Sequence, residues 1–145
     1  MPTLTRTIET DAPVQLVAPF LTDFTTTERW DPGTISCERL DAGDLKVGAR
    51  FRNVSSFRGR ETTLIYEITS LDPGRAVTLV GENKTVTSTD EMRFASNGGG
   101  TKVVYRVHFA FKGLARLAVP FLGGALRKLA DDAAREMKRS LDALT

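Results

Sequence analysis

Apolar and polar residues change their period three times along this chain. Thr3 to Ile8 alternate, with Leu4, Arg6 and Ile8 on one side and Thr3, Thr5 and Thr7 on the other, which predicts a short strand. The period then lengthens: Leu16, Val17, Phe20, Leu21 and Phe24 recur at helical spacing and make one apolar stripe. Asp11 is placed to cap this helix, with Pro13 at its first position, where a missing N–H costs nothing. Pro19 falls inside the stripe and predicts a bend or a split. From about Thr34 to Phe111 alternation returns in six runs, Thr34 to Leu40, Ala49 to Phe57, Glu61 to Leu71, Arg75 to Gly81, Thr85 to Ala95 and Thr101 to Phe111. The segments between them, among them Arg58-Gly59, Asp72-Pro73-Gly74 and Asn97-Gly98-Gly99-Gly100, suit tight turns. Finally Leu122, Leu126, Leu129, Ala133, Met137, Leu141 and Leu144 step by three and four, so Gly124 to Leu144 reads as one long amphipathic helix. Pro120 and Gly123-Gly124 suggest a short turn or loop before it.

This order predicts an α+β fold: a curved, seven-stranded antiparallel sheet around a long C-terminal helix, with two short helices after the first strand. A single helix lying across the apolar face of such a sheet leaves interior volume. Strand parity assigns the inward residues as Phe51, Asn53, Ser55 and Phe57; Leu64, Tyr66 and Ile68; Val77 and Leu79; Val86, Ser88, Asp90, Met92 and Phe94; and Val103, Tyr105, Val107, Phe109 and Phe111. One bulge would invert part of any set. Such a lining suits an apolar small molecule and equally a plain core.

Composition narrows the function classes. The chain has 145 residues, enough for one domain over 1–145 with its own core. Its 20 basic and 18 acidic residues leave no excess that predicts nucleic acid binding. The lone Cys37 cannot form an internal disulfide, Met1 to Asp11 shows no secretory pattern, and no apolar run approaches a membrane span; these predict a cytoplasmic location and no integral membrane segment.

Candidate chemistry is sparse. Asp90, if inward, is a carboxylate in an apolar cavity, where desolvation raises its pKa towards a useful range for proton transfer. A solvated place near the mouth is the commoner situation for such a residue. Tyr66 and Tyr105 offer phenols for a ligand carbonyl or an enolate, or simply pack their rings. Asn53 and Ser55 can orient a polar end. His108, the only histidine, has outward parity, which argues against histidine catalysis and a multi-histidine metal site. No cofactor is expected: Gly98 to Gly100 join two strands and are followed by neither lysine in a phosphate loop nor a helix. Arg52, Arg93, Lys102 and Arg106 on the outer sheet face allow a basic stripe for a partner.

Asp11-Ala12-Pro13, the helical run to Leu21-Thr22-Asp23-Phe24 and the turn Arg29-Trp30-Asp31-Pro32-Gly33 together resemble the opening of the START-like helix-grip superfamily. Ile68-Thr69-Ser70-Leu71-Asp72-Pro73-Gly74-Arg75 and Gly100-Thr101-Lys102-Val103 resemble its bacterial polyketide cyclase/dehydrase-like group. The resemblance implies a cavity closed at one end by Trp30, and Phe121 and Leu122 form a candidate gate beside Ser56 to Gly59. The expected ligand-binding set is Trp30, Phe51, Asn53, Phe57, Leu64, Tyr66, Ile68, Leu79, Met92, Tyr105, Val107, Phe109, Phe121, Leu122, Leu126 and Leu129. The expected function is binding of a hydrophobic small molecule, lipid or polyketide-like, by a monomer or homodimer. The alternative is a cyclase or dehydratase using Asp90 with Tyr66 or Tyr105.

Overall fold

The computed structural model describes residues 1–144. Seven strands, β1 (Thr3–Thr10), β2 (Thr34–Arg39), β3 (Arg50–Phe57), β4 (Arg60–Asp72), β5 (Ala76–Glu82), β6 (Val86–Asn97) and β7 (Gly100–Phe111), form one antiparallel sheet in the order β1-β7-β6-β5-β4-β3-β2. The run from β2 to β7 is a meander, and β1 adds to its far edge by pairing Thr3–Thr10 with His108–Thr101. The chain therefore leaves one edge and re-enters at the other. The residues between, helix α1 (Val14–Thr22), a 3-10 turn (Phe24–Thr26) and helix α2 (Thr27–Trp30), pack across one end of the sheet against β6, β7 and β2.

Two hairpins are closed by two-residue loops with positive φ at both positions, Arg58-Gly59 (54° and 80°) and Gly98-Gly99 (58° and 92°). This turn geometry matches the right-handed strand twist, and glycine supplies it without strain. The register slips in two places, in β2 between Thr34 and Ser36 and in β4 between Ile68 and Ser70, and after the second Leu71 rather than Ser70 follows Ile68 onto the inner face.

Helix α3 (Val119–Asp142), about 36 Å long at 1.5 Å per residue, packs on β1 and α2 through Leu126, Ala130, Ala133, Met137 and Leu141. It starts earlier than the expected Gly124, because Pro120 lies in its first turn, where its missing N–H is no loss; the short turn expected before it is the 3-10 turn over residues 113–118. Two further expectations are corrected. Asp11 does not cap α1: Pro13 is the capping position and no side chain bonds there. Pro19 neither splits nor ends α1, which continues to Thr22 and closes with Asp23 N–H on the Pro19 carbonyl. A nine-residue helix has few bonds for Pro19 to remove.

The outer face is not a basic stripe. Arg52 pairs with Glu38 and Arg93 with Glu91, while Glu91 stands opposite Arg106 and Glu9 opposite Lys102. Among the described residues no helix is long and apolar enough to cross a membrane.

Met137 is fully buried at the seam between α3 and the sheet. Truncation to Met137→Ala leaves a cavity and is expected to cost about 2–5 kcal/mol, read as a lowered urea midpoint with unchanged slope. A loss below about 0.5 kcal/mol would place the core elsewhere.

Candidate functional site

Between the sheet and α3 lie two chambers that share Ser55, Phe57, Leu64, Phe109, Leu126 and Leu129. The outer one, about 500 Å3, is walled mainly by Val86, Phe109, Phe111, Ala118 and Leu122, with Arg58 and Arg60 at its rim. The inner one, about 100 Å3, ends on Phe24, Trp30, Asp31, Asn53, Tyr66, Ser88, Asp90 and Tyr105.

The floor of the inner chamber is a carboxylate with hydroxyl partners. Asp90 is 3% exposed; its Oδ1 accepts from the Ser88 hydroxyl at 2.9 Å and its Oδ2 from the Tyr105 hydroxyl at 2.6 Å. Alternation on β6 puts Ser88 and Asp90 on one face, and Tyr105 reaches Asp90 diagonally because its own cross-strand partner is Met92. Burial pushes the Asp90 carboxyl up to about 6, with the Tyr105 and Ser88 bonds holding it back from a larger rise. Burial, and then the Asp90 charge, push both Tyr66 and Tyr105 well above the usual phenol range.

Gly81 shapes this floor. A Cβ at Gly81 would lie 2.6 Å from the Tyr66 ring, so the ring rests directly on the β5 backbone. Gly81 is opposite Tyr66 on one side and Ser88 on the other, which lets the phenol cross β5 and turn towards Ser88 and Asp90. The hydroxyl of Tyr66 turns to Ser88 and Asp90, whereas that of Tyr105 donates to Asp90 alone.

The short helices wall the chamber. Phe24 packs on Tyr66 (ring centroids 4.7 Å apart) and Trp30 meets Tyr105 edge to face at 5.5 Å. Trp30 is fixed by its Nε1–H on Thr26 Oγ1. After α2, Asp31 Oδ1 accepts from Gly33 N–H at 3.0 Å and Oδ2 from the Thr34 hydroxyl at 2.9 Å, while Asn53 Nδ2 donates to Thr27 and Thr34. Burial also raises the Asp31 carboxyl, and the Asp31 charge adds to the rise at Asp90.

Of the sequence-derived set, Trp30, Asn53, Phe57, Leu64, Tyr66, Tyr105, Val107, Phe109, Leu122, Leu126 and Leu129 line the chambers. Phe51, Ile68, Leu79 and Met92 do not; they are fully buried core, with the Phe51 ring packed on Phe24. Phe121 is 79% exposed and turned away, so only Leu122 of the pair faces the outer chamber, across from Phe57 and Arg58. Asp90 lies at the closed end rather than at a solvated mouth. Asp31 and Gly81 were missed, although a strand glycine facing an aromatic is a signal that sequence offers. His108 is outside the chambers, with its Nδ1 2.6 Å from Thr3 Oγ1. No cluster of three metal-ligating side chains occurs among the described residues.

The Asp90 carboxyl binds its proton more tightly folded than unfolded, because its folded value, about 6, exceeds the ordinary 3.8. Stability from this group is therefore full below the ordinary value and falls as pH rises through the folded one, by up to about 3 kcal/mol. Asp90→Asn removes this penalty. The variant is expected to outlast the wild type in urea at pH 8 and to lose that advantage near pH 4; equal midpoints at pH 8 would contradict the buried, unpaired charge.

The sequence matches, over residues 1–144, the family described as polyketide cyclase / dehydrase and lipid transport. No curated protein matches it significantly. Among solved structures, TTHA0849 from Thermus thermophilus superposes with a TM-score of 0.80 at 14% identity, covering 97% of each chain. Zhui aromatase/cyclase from Streptomyces sp. R1128 gives 0.74 at 18% identity, over 97% of this chain and 90% of that one. A STAR-related lipid transfer protein from Xanthomonas axonopodis gives 0.74 at 15%, over 96% and 85%. At these identities the structures establish the helix-grip fold, and with the family match they establish that the chain belongs to the polyketide cyclase / dehydrase and lipid transport family.

Proposed function

We propose that the protein binds a small molecule whose apolar body occupies the outer chamber and whose polar head enters the inner one. The observation behind this reading is the polarity gradient across two adjoining chambers with shared walls, from the apolar wall at Phe111, Leu122 and Leu129 to the hydroxyl–carboxylate floor at Asp90. An ordinary core has no reason to bury an uncompensated carboxylate, whose desolvation disfavours folding. A ligand site does, because polar groups few in number and fixed in place are what orient a bound molecule. Membership of a family described by both cyclase and lipid-transport activities fits such a space.

Nile red, a neutral apolar dye, tests occupancy. One dye per protein is expected, with Leu126→Trp, which fills the junction of the chambers, weakening binding at least about ten-fold, or 1.4 kcal/mol. Leu114→Trp, at a site 85% exposed, is expected to leave it unchanged. Equal binding by both variants would move the dye, and the proposal, out of the chambers.

One observation favours proton transfer as a second reading: a buried carboxyl near 6 with the Tyr66 phenol beside it at the chamber floor. In such a step the Asp90 carboxylate takes the proton from the carbon between two carbonyls. The carboxylic acid and an enolate result, and the Tyr66 hydroxyl hydrogen-bonds the enolate oxygen. In deuterated water the carbon would then return labelled. Protein-accelerated exchange into an alkyl 1,3-diketone that Asp90→Asn abolishes supports this reading; exchange at the solvent rate removes it.

A further inference from the structure

We propose that the inner chamber selects ligands by a cationic nitrogen head, a protonated amine or a quaternary ammonium, an inference that rests on ligand binding in the two chambers. The lining holds two carboxyl groups, Asp31 and Asp90, and no lysine, arginine or histidine. The partners of Asp90 are neutral hydroxyls: Ser88 and Tyr105 satisfy its oxygens without cancelling its charge. The partners of Asp31 are equally neutral, the Gly33 N–H and the Thr34 hydroxyl. Every other element facing Asp90 is also without positive charge: β4 offers Tyr66, β3 offers Asn53, and α3 offers Leu126, Leu129, Ala130 and Ala133. The cations Arg58 and Arg60 line the outer chamber only.

A second feature has the same sign. Phe24, Trp30, Tyr66 and Tyr105 surround this end of the space, and the faces of aromatic rings attract cations, most strongly where water is excluded. Tyr66, 7% exposed, brings its hydroxyl to the chamber beside Ser88 and Asp90, and a phenol that donates its proton there keeps an oxygen lone pair able to accept from an ammonium N–H. About 100 Å3 holds a head group and not a ligand body, so the selection acts on the head while the outer chamber takes the chain. A carboxylate head would meet Asp90 and Asp31 as like charges in a dry site, and a neutral hydroxyl would leave the charge uncompensated. Because the Asp90 carboxyl titrates near 6, the preference fades below that pH as the charge disappears.

Trp30 is the only tryptophan and borders the inner chamber, so its fluorescence reports occupancy. The experiment titrates the protein at pH 7.5 with dodecylamine, dodecyltrimethylammonium, dodecanol and dodecanoate, each below its micelle concentration. The net charge of +2 disfavours non-specific attraction of the amines, so a preference for them is a property of the chamber. At least one of the two cations is expected to bind about ten-fold or more tighter than the alcohol and the carboxylate. Asp90→Asn is expected to remove that preference, the cations then binding the variant no more tightly than dodecanol binds it. Dodecanol or dodecanoate binding as tightly as the cations, or an unchanged preference in Asp90→Asn, would overturn the cationic head and leave ligand binding standing. No binding by any of the four would overturn both.

Discussion

A seven-stranded sheet with one apolar face has to cover it, and α3 alone is too narrow to do so. Everything distinctive in the molecule follows from how the remainder is covered. Helix α3 lies against β1 and α2, and the first and second strands stand at opposite edges, so the chain between them must cross one end of the sheet. That crossing delivers Phe24 and Trp30 as plugs. Phe51, Ile68, Leu79 and Met92 fill another part of the interior solidly. What is left between plug, sheet and helix is the pair of chambers.

Asp90 converts that leftover space into a site with chemical character. Its neighbours are arranged in layers: Ser88 and Tyr105 hold its oxygens, Trp30 holds the Tyr105 ring, and Thr26 holds the Trp30 N–H. On the other side Gly81 gives up a side chain so that Tyr66 can cross β5, and Phe24 packs on its ring. Positions are thereby fixed by packing before any ligand arrives, which lowers the ordering cost of binding. The same burial lowers stability at neutral pH, because the charged form of the carboxylate is desolvated.

The sheet was largely legible because period two is a strong signal and the turns at Arg58-Gly59 and Gly98-Gly99 are chemically distinctive. Parity assigns a face, however, and not a depth along the interior. Phe51 and Leu79 therefore could not be told from Leu64 and Phe109 by alternation, although the first two are core and the others line chambers. Irregular backbone was least legible: Asp31 follows a four-residue helix, where no periodicity says which way its carboxylate turns. The early start of α3 was hidden by Pro120 and two glycines, which read as breakers until the first-turn position of the proline is known. Phe121 lost its expected place for the same reason, since shifting the helix start fixes the rotation of its first turn and points the ring outward.

The central claim is that one ligand lies along both chambers with its head at Asp90. Isotope-filtered nuclear Overhauser spectra of the protein with bound dodecylamine test it most directly. The account predicts contacts from the methylene next to nitrogen to the rings of Trp30 and Tyr105, and from the terminal methyl to Leu122 and Leu129. Contacts instead to the exposed side chains of Leu114, Leu117 and Phe121, with none to Trp30, would place the ligand on the surface and contradict it.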